Sequence, residues 1–83
     1  MTEEQIKQAC IKYDSILIKS EAVIKRESDV PGSLNHLRWM CQEVMVFLNE
    51  GKLEKAFRWL GFIQGVLWTE CICDIEELKS DNR

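Results

Sequence analysis

Ala56-Phe57-Arg58-Trp59-Leu60-Gly61-Phe62-Ile63-Gln64-Gly65-Val66-Leu67-Trp68 reads as one helix, apolar almost all round, with two glycines four residues apart. A helix apolar on every side must be covered on every side. Each glycine costs about 1 kcal/mol against alanine unless its missing side chain lets something approach. The stretch therefore predicts a helix over about 52–70 with Gly61 and Gly65 at a close helix crossing.

Upstream, Asn49-Glu50-Gly51-Lys52 ends a preceding helix with a glycine suited to the left-handed position. That helix, about 34–49, puts Leu37, Met40, Cys41, Val44 and Leu48 on one face, with Trp39, Met45, Val46 and Phe47 spilling beyond it. So short a connection makes the pair an antiparallel helical hairpin. Before it, Ser28-Asp29-Val30-Pro31-Gly32-Ser33 is the strong break of the chain, and Ser33 is placed to cap the next helix.

At the start, Thr2-Glu3-Glu4-Gln5 fits a capping box. An apolar stripe through Ile6, Cys10, Tyr13, Leu17 and Ile24, joined by Ala9, Ile16 and Val23, predicts a first helix over about 3–27. Downstream, Asp74 with Glu77 three residues on caps a short last helix over about 74–80, and the end after it reads as polar and frayed. No segment alternates as a strand does. The expected fold is all-α: one domain over 1–83, a small bundle of three main helices plus a short C-terminal helix.

With 83 residues, the chain buries only roughly 60–65% of the surface its unfolded form exposes, so modest stability and self-association are expected. A net charge of −3 and a pI near 5.1, with only residues 51–70 net positive, disfavour binding to a phosphate backbone. Arg58 and Gln64 interrupt the best candidate for a membrane span, and the N-terminal residues lack the pattern of a signal peptide. An intracellular setting with reduced cysteines is therefore expected.

Cys10 and Cys41 fall on apolar faces as small hydrophobes. Cys71-Ile72-Cys73 invites a metal or redox reading, but its spacing and the lone imidazole of His36 fall short of a structural zinc set. No cofactor is expected. Enzymatic signals are weak: His36 faces Met40 rather than Cys41 along its helix, Glu76 and Glu77 diverge on a short exposed helix, and no Gly-rich phosphate loop is present.

Leu37-Arg38-Trp39-Met40 and Phe57-Arg58-Trp59-Leu60 share a pattern on the two hairpin helices, although their downstream residues agree poorly, as in a coincidence rather than a duplication. Three readings compete. The tryptophans fill the core while Arg38 and Arg58 pair with Glu43, Glu50 or Glu54. Trp39, Trp59 or Trp68 anchor an interface, a reading compatible with the first. Or His36, Arg38, Arg58 and a tryptophan face hold an anionic planar ligand such as a nucleotide.

Asn35-His36-Leu37-Arg38-Trp39-Met40, the run from Glu54-Lys55-Ala56 through Arg58-Trp59-Leu60-Gly61-Phe62 and Gln64-Gly65 to Leu67-Trp68, and Ile75-Glu76-Glu77-Leu78-Lys79 resemble a family of small tailed-bacteriophage proteins with no established activity. The resemblance covers about residues 34–83 and carries no site residues with it. It implies a phage accessory protein in the bacterial host cytoplasm, in a group rich in inhibitors of host enzymes and defence systems. The resulting expectation is a non-enzymatic, self-associating protein that binds and modulates a host protein, with a nucleotide-binding sponge as the alternative.

Overall fold

The computed structural model describes residues 1–83 as four helices and no strands: α1 (Glu3–Lys19), α2 (Leu34–Asn49), α3 (Leu53–Thr69) and α4 (Ile75–Asp81). The all-α bundle of three main helices and a short C-terminal one is thus observed, with α2 packed against both α1 and α3. Ile6, Tyr13 and Leu17 of α1, Leu37 and Val44 of α2, and Leu60, Ile63 and Leu67 of α3 are sealed in the centre.

The caps follow the sequence. Thr2 and Gln5 form the reciprocal capping box, and the Ser33 and Asp74 side chains accept from the backbone N–H three residues on. Each of the three main helices ends the same way: the residue after the cap turns left-handed, and the next N–H reaches back to a carbonyl of the last turn. These bonds run from Ala22 to Leu17 (3.0 Å), Lys52 to Phe47 (2.8 Å) and Ile72 to Leu67 (2.8 Å). Only one left-handed residue is a glycine, Gly51 (φ 76°); the others are Glu21 (φ 65°) and Cys71 (φ 59°).

This ending corrects the expected first helix. It stops at Lys19, not near Glu27, because the Glu21 turn hands the Leu17 carbonyl to Ala22. The chain then crosses α2 as an irregular strap in which Ala22 is buried while Val23 and Ile24 are about half exposed. The apolar periodicity that suggested continuation runs past the helix end by coincidence.

α4 is a latch. Leu78 and Cys73 are buried, and polar contacts complete the hold. Lys12 Nζ lies 2.9 Å from both Asp81 Oδ1 and Glu77 Oε2, and the Gln5 amide donates to the Arg83 carbonyl. Tyr13 donates to Asp81, and the buried Gln64 amide donates to Tyr13 and Asn82. The accessible surface of 5079 Å² is close to the roughly 5,100 Å² of a folded monomer of this mass, so total area does not demand a partner. What is unusual is where the apolar part lies.

Candidate interaction face

α3 buries Ala56, Leu60, Ile63, Gln64 and Leu67, a stripe at three- and four-residue steps. The opposite side holds Phe57 (45% exposed), Phe62 (43%) and Trp68 (54%) in solvent. Gly61 and Gly65 lie along the middle of that side, because one turn of 3.6 residues brings both opposite the buried stripe. A Cβ added at either glycine would meet nothing within 4 Å. The expected close crossing at Gly61 and Gly65 is therefore absent within the chain; the two notches open outward, between Phe57 and Trp68 on one flank and Phe62 on the other.

Two shallow concavities extend this face. One of ≈ 460 Å³ is lined by Phe62, Gly65, Val66, Trp68 and, from the turn before α2, Gly32. The other, of ≈ 380 Å³, is lined by Met1, Leu53, Glu54 and Phe57 at the start of the helix. Arg58 lies on the same side with its side chain 63% exposed, and its contact to Glu54 at 3.3 Å is weak and solvated.

The other proposed binding residues are used inside the fold. His36 is buried, and its Nδ1 accepts the Glu27 N–H at 2.9 Å, which leaves the ring proton on Nε2. Arg38 donates from Nε to Asp14 Oδ1 at 2.9 Å and from Nη1 to the Ala22 carbonyl at 3.1 Å. It thereby ties α2 to both α1 and the strap, and its carboxylate partner is Asp14 rather than Glu43, Glu50 or Glu54. Asn35 adds a further tie by accepting the Val23 N–H.

Trp39 and Trp59 are half-buried and lie 5.9 Å apart, in a row that continues to Phe47, 4.8 Å from Trp59 in an edge-on contact. Arg26 covers the Trp39 end of the row at 5.1 Å and Lys55 the Phe47 end at 4.6 Å. His36, Arg38 and Trp39 thus form one cluster with the strap, Trp59 joins it through the aromatic row, and Arg58 and Trp68 belong to the opposite face of α3. Phe57 and Phe62, not among the binding residues expected from the sequence, flank the notches.

No three His, Cys, Asp or Glu side chains converge as a metal set, and no helix is long and apolar enough to cross a membrane. Glu76 and Glu77 lie on α4, with Glu77 paired to Lys12 and Glu76 3.7 Å from Lys79. No family model, no curated protein and no solved structure matches the chain.

Proposed function

We propose that this is a non-enzymatic interaction protein whose α3 outer face docks a second copy of itself. The observation that carries this reading is a pair of empty glycine notches centred among three exposed aromatic rings, Phe57, Phe62 and Trp68. Helices whose backbones can approach at small residues gain dispersion contacts over their length, and large exposed rings are the anchors from which interfaces are built.

The occupant follows from symmetry. With a two-fold axis at Ile63, two antiparallel α3 helices put Gly61 of one copy opposite Gly65 of the other. The same operation brings Arg58 of one copy level with Trp68 of the other along the pair, so a cation and an aromatic ring stand at each end of the contact. A contact made mainly by one helix from each copy falls short of the roughly 800 Å² per partner of a standard stable interface. The association is therefore expected to be weak.

The resemblance of residues 34–83 to phage proteins adds a host-directed role, in which the pair binds and modulates a bacterial host protein. The nucleotide alternative draws no support from His36 and Arg38, which bond to the strap and, through Asp14, to α1. Light scattering over a concentration series tests the core of the reading: the mass should rise from one to two subunits by high micromolar concentration, and Trp68→Ala should weaken that rise about tenfold. A constant monomer mass up to millimolar concentration would refute it.

A further inference from the structure

Two thiols that play no part in the α3 face come together elsewhere. Cys10 of α1 and Cys41 of α2 are 2% and 1% exposed and meet across the contact between the two helices. Both lie in the wall of a small surface cavity of ≈ 240 Å³ whose other walls are Ile11, Asp14, Gln42 and Met45, so the pair sits just beneath the surface rather than at the centre of the bundle. The rim is polar, because Asp14 is held there by Arg38 at 2.9 Å.

We propose that Cys10 and Cys41 are a cross-linking site, a dithiol that a low-molecular-weight disulfide converts into a bond between α1 and α2. The thiolate of one cysteine attacks a sulfur of oxidised glutathione, forming a protein–glutathione disulfide and expelling one glutathione thiolate. The second cysteine, losing its proton to solvent, attacks the protein sulfur of that mixed disulfide and expels the second glutathione thiolate. Two protein S–H groups are oxidised to one S–S bond, glutathione disulfide is reduced to two thiols, and the two protons end on them.

Contact with the Cys10 thiol, followed by burial, raises the Cys41 pKa, so Cys41 stays a thiol until the exchange reaches it. The loop closed by the bond contains about thirty residues and includes the whole strap, which the native fold already pins to α2. No atom of the α3 outer face lies on this route, so the cross-link and the self-association are independent.

The test is a redox equilibrium on the Cys71→Ser/Cys73→Ala variant, which leaves only the pair in question. The variant is refolded in buffers of graded oxidised-to-reduced glutathione ratio, and the species lighter by two hydrogens is counted by intact mass. Linkage requires that a bond which suits the fold form more readily in the native chain. The glutathione ratio at half-oxidation should therefore be at least about thirtyfold lower in native buffer than in concentrated guanidinium chloride, with a matching rise in melting temperature of the oxidised form. An equal or higher ratio in native buffer would overturn the proposal. Should the double variant not fold, peptide mapping of the oxidised wild type decides: Cys10 joined to Cys41 supports the site, whereas any other pairing, or glutathione adducts alone, refutes it.

Discussion

Tyr13 of α1 donates its phenolic proton to Asp81 of α4 across 2.7 Å, while the same oxygen accepts from Gln64 of α3 at 2.9 Å. One fully buried ring thus joins three helices through a single hydroxyl. Tyr13→Phe keeps the packing and removes both bonds, which should cost about 1–2 kcal/mol. Thermal unfolding should fall by about 5–15 °C, and hydrogen exchange should show α4 opening before the hairpin. An unchanged melting curve would mean that the latch is held by Leu78, Cys73 and the Lys12, Gln5 and Asn82 contacts without help from the phenol.

The same residue sets an alkaline limit. Burial first, and then the bond to Asp81, raises the Tyr13 pKa well above its usual value of 10. The unfolded chain therefore gives up this proton at lower pH than the folded one. Stability from the tyrosine is complete below about pH 10 and is lost as pH rises through the folded value, with a slope of at most about 1.4 kcal/mol per pH unit. Cys41, raised by Cys10 and burial, and Cys73, raised by burial and Glu77, act in the same direction from about pH 9. Lys12 does so as well: burial lowers its pKa, but the bonds to Glu77 and Asp81 outweigh that effect. Denaturant titrations from pH 8 to 11 should show falling stability, and the slope above pH 10 should be shallower in Tyr13→Phe.

Glu21 and Cys71 occupy left-handed turns that Gly51 fills without strain. A side chain there costs roughly 1–2 kcal/mol, offset in part by the greater freedom glycine brings to the unfolded chain. Glu21→Gly and Cys71→Gly should each raise the melting temperature by a few degrees, whereas Gly51→Ala should lower it.

These turns also mark where the sequence stopped being legible. The limits of α2, α3 and α4 fall within a residue or so of those expected, because Ser33, Gly51 and Asp74 are residues that announce a cap. Ser20-Glu21 announces nothing, and Val23 and Ile24 extend the apolar rhythm of α1 past its end. With α1 read too long, the strap was invisible, and so was the use of Arg38 and His36 to hold it. The outward direction of Gly61 and Gly65 was recoverable from the Ala56, Leu60, Ile63, Leu67 stripe, which places them opposite the core. Gln64 looked like an interruption of an apolar run; its buried bonds to Tyr13 and Asn82 depend on where α4 folds back.

Arg38 distinguishes a structural arginine from a ligand-binding one. Arg38→Lys keeps the charge but cannot reach Asp14 and the Ala22 carbonyl in the same forked geometry. It should cost about 1–3 kcal/mol with no ligand present and increase proteolysis within residues 22–33. Full stability in this variant, combined with loss of a nucleotide-induced thermal shift that the wild type shows, would restore the ligand reading.

The central claim is that the α3 notches serve contact between copies rather than packing within one. Sedimentation equilibrium of Gly61→Leu, paired with its melting temperature at low micromolar concentration, tests it most directly. Since nothing lies within 4 Å of a Cβ at this position, the substitution should leave the monomer folded and raise its melting temperature through the gain of roughly 0.8 kcal/mol in helix propensity. It should also hold the mass at one subunit where the wild type pairs. A Gly61→Leu protein that pairs as readily as the wild type, or that unfolds as a monomer, would contradict the account.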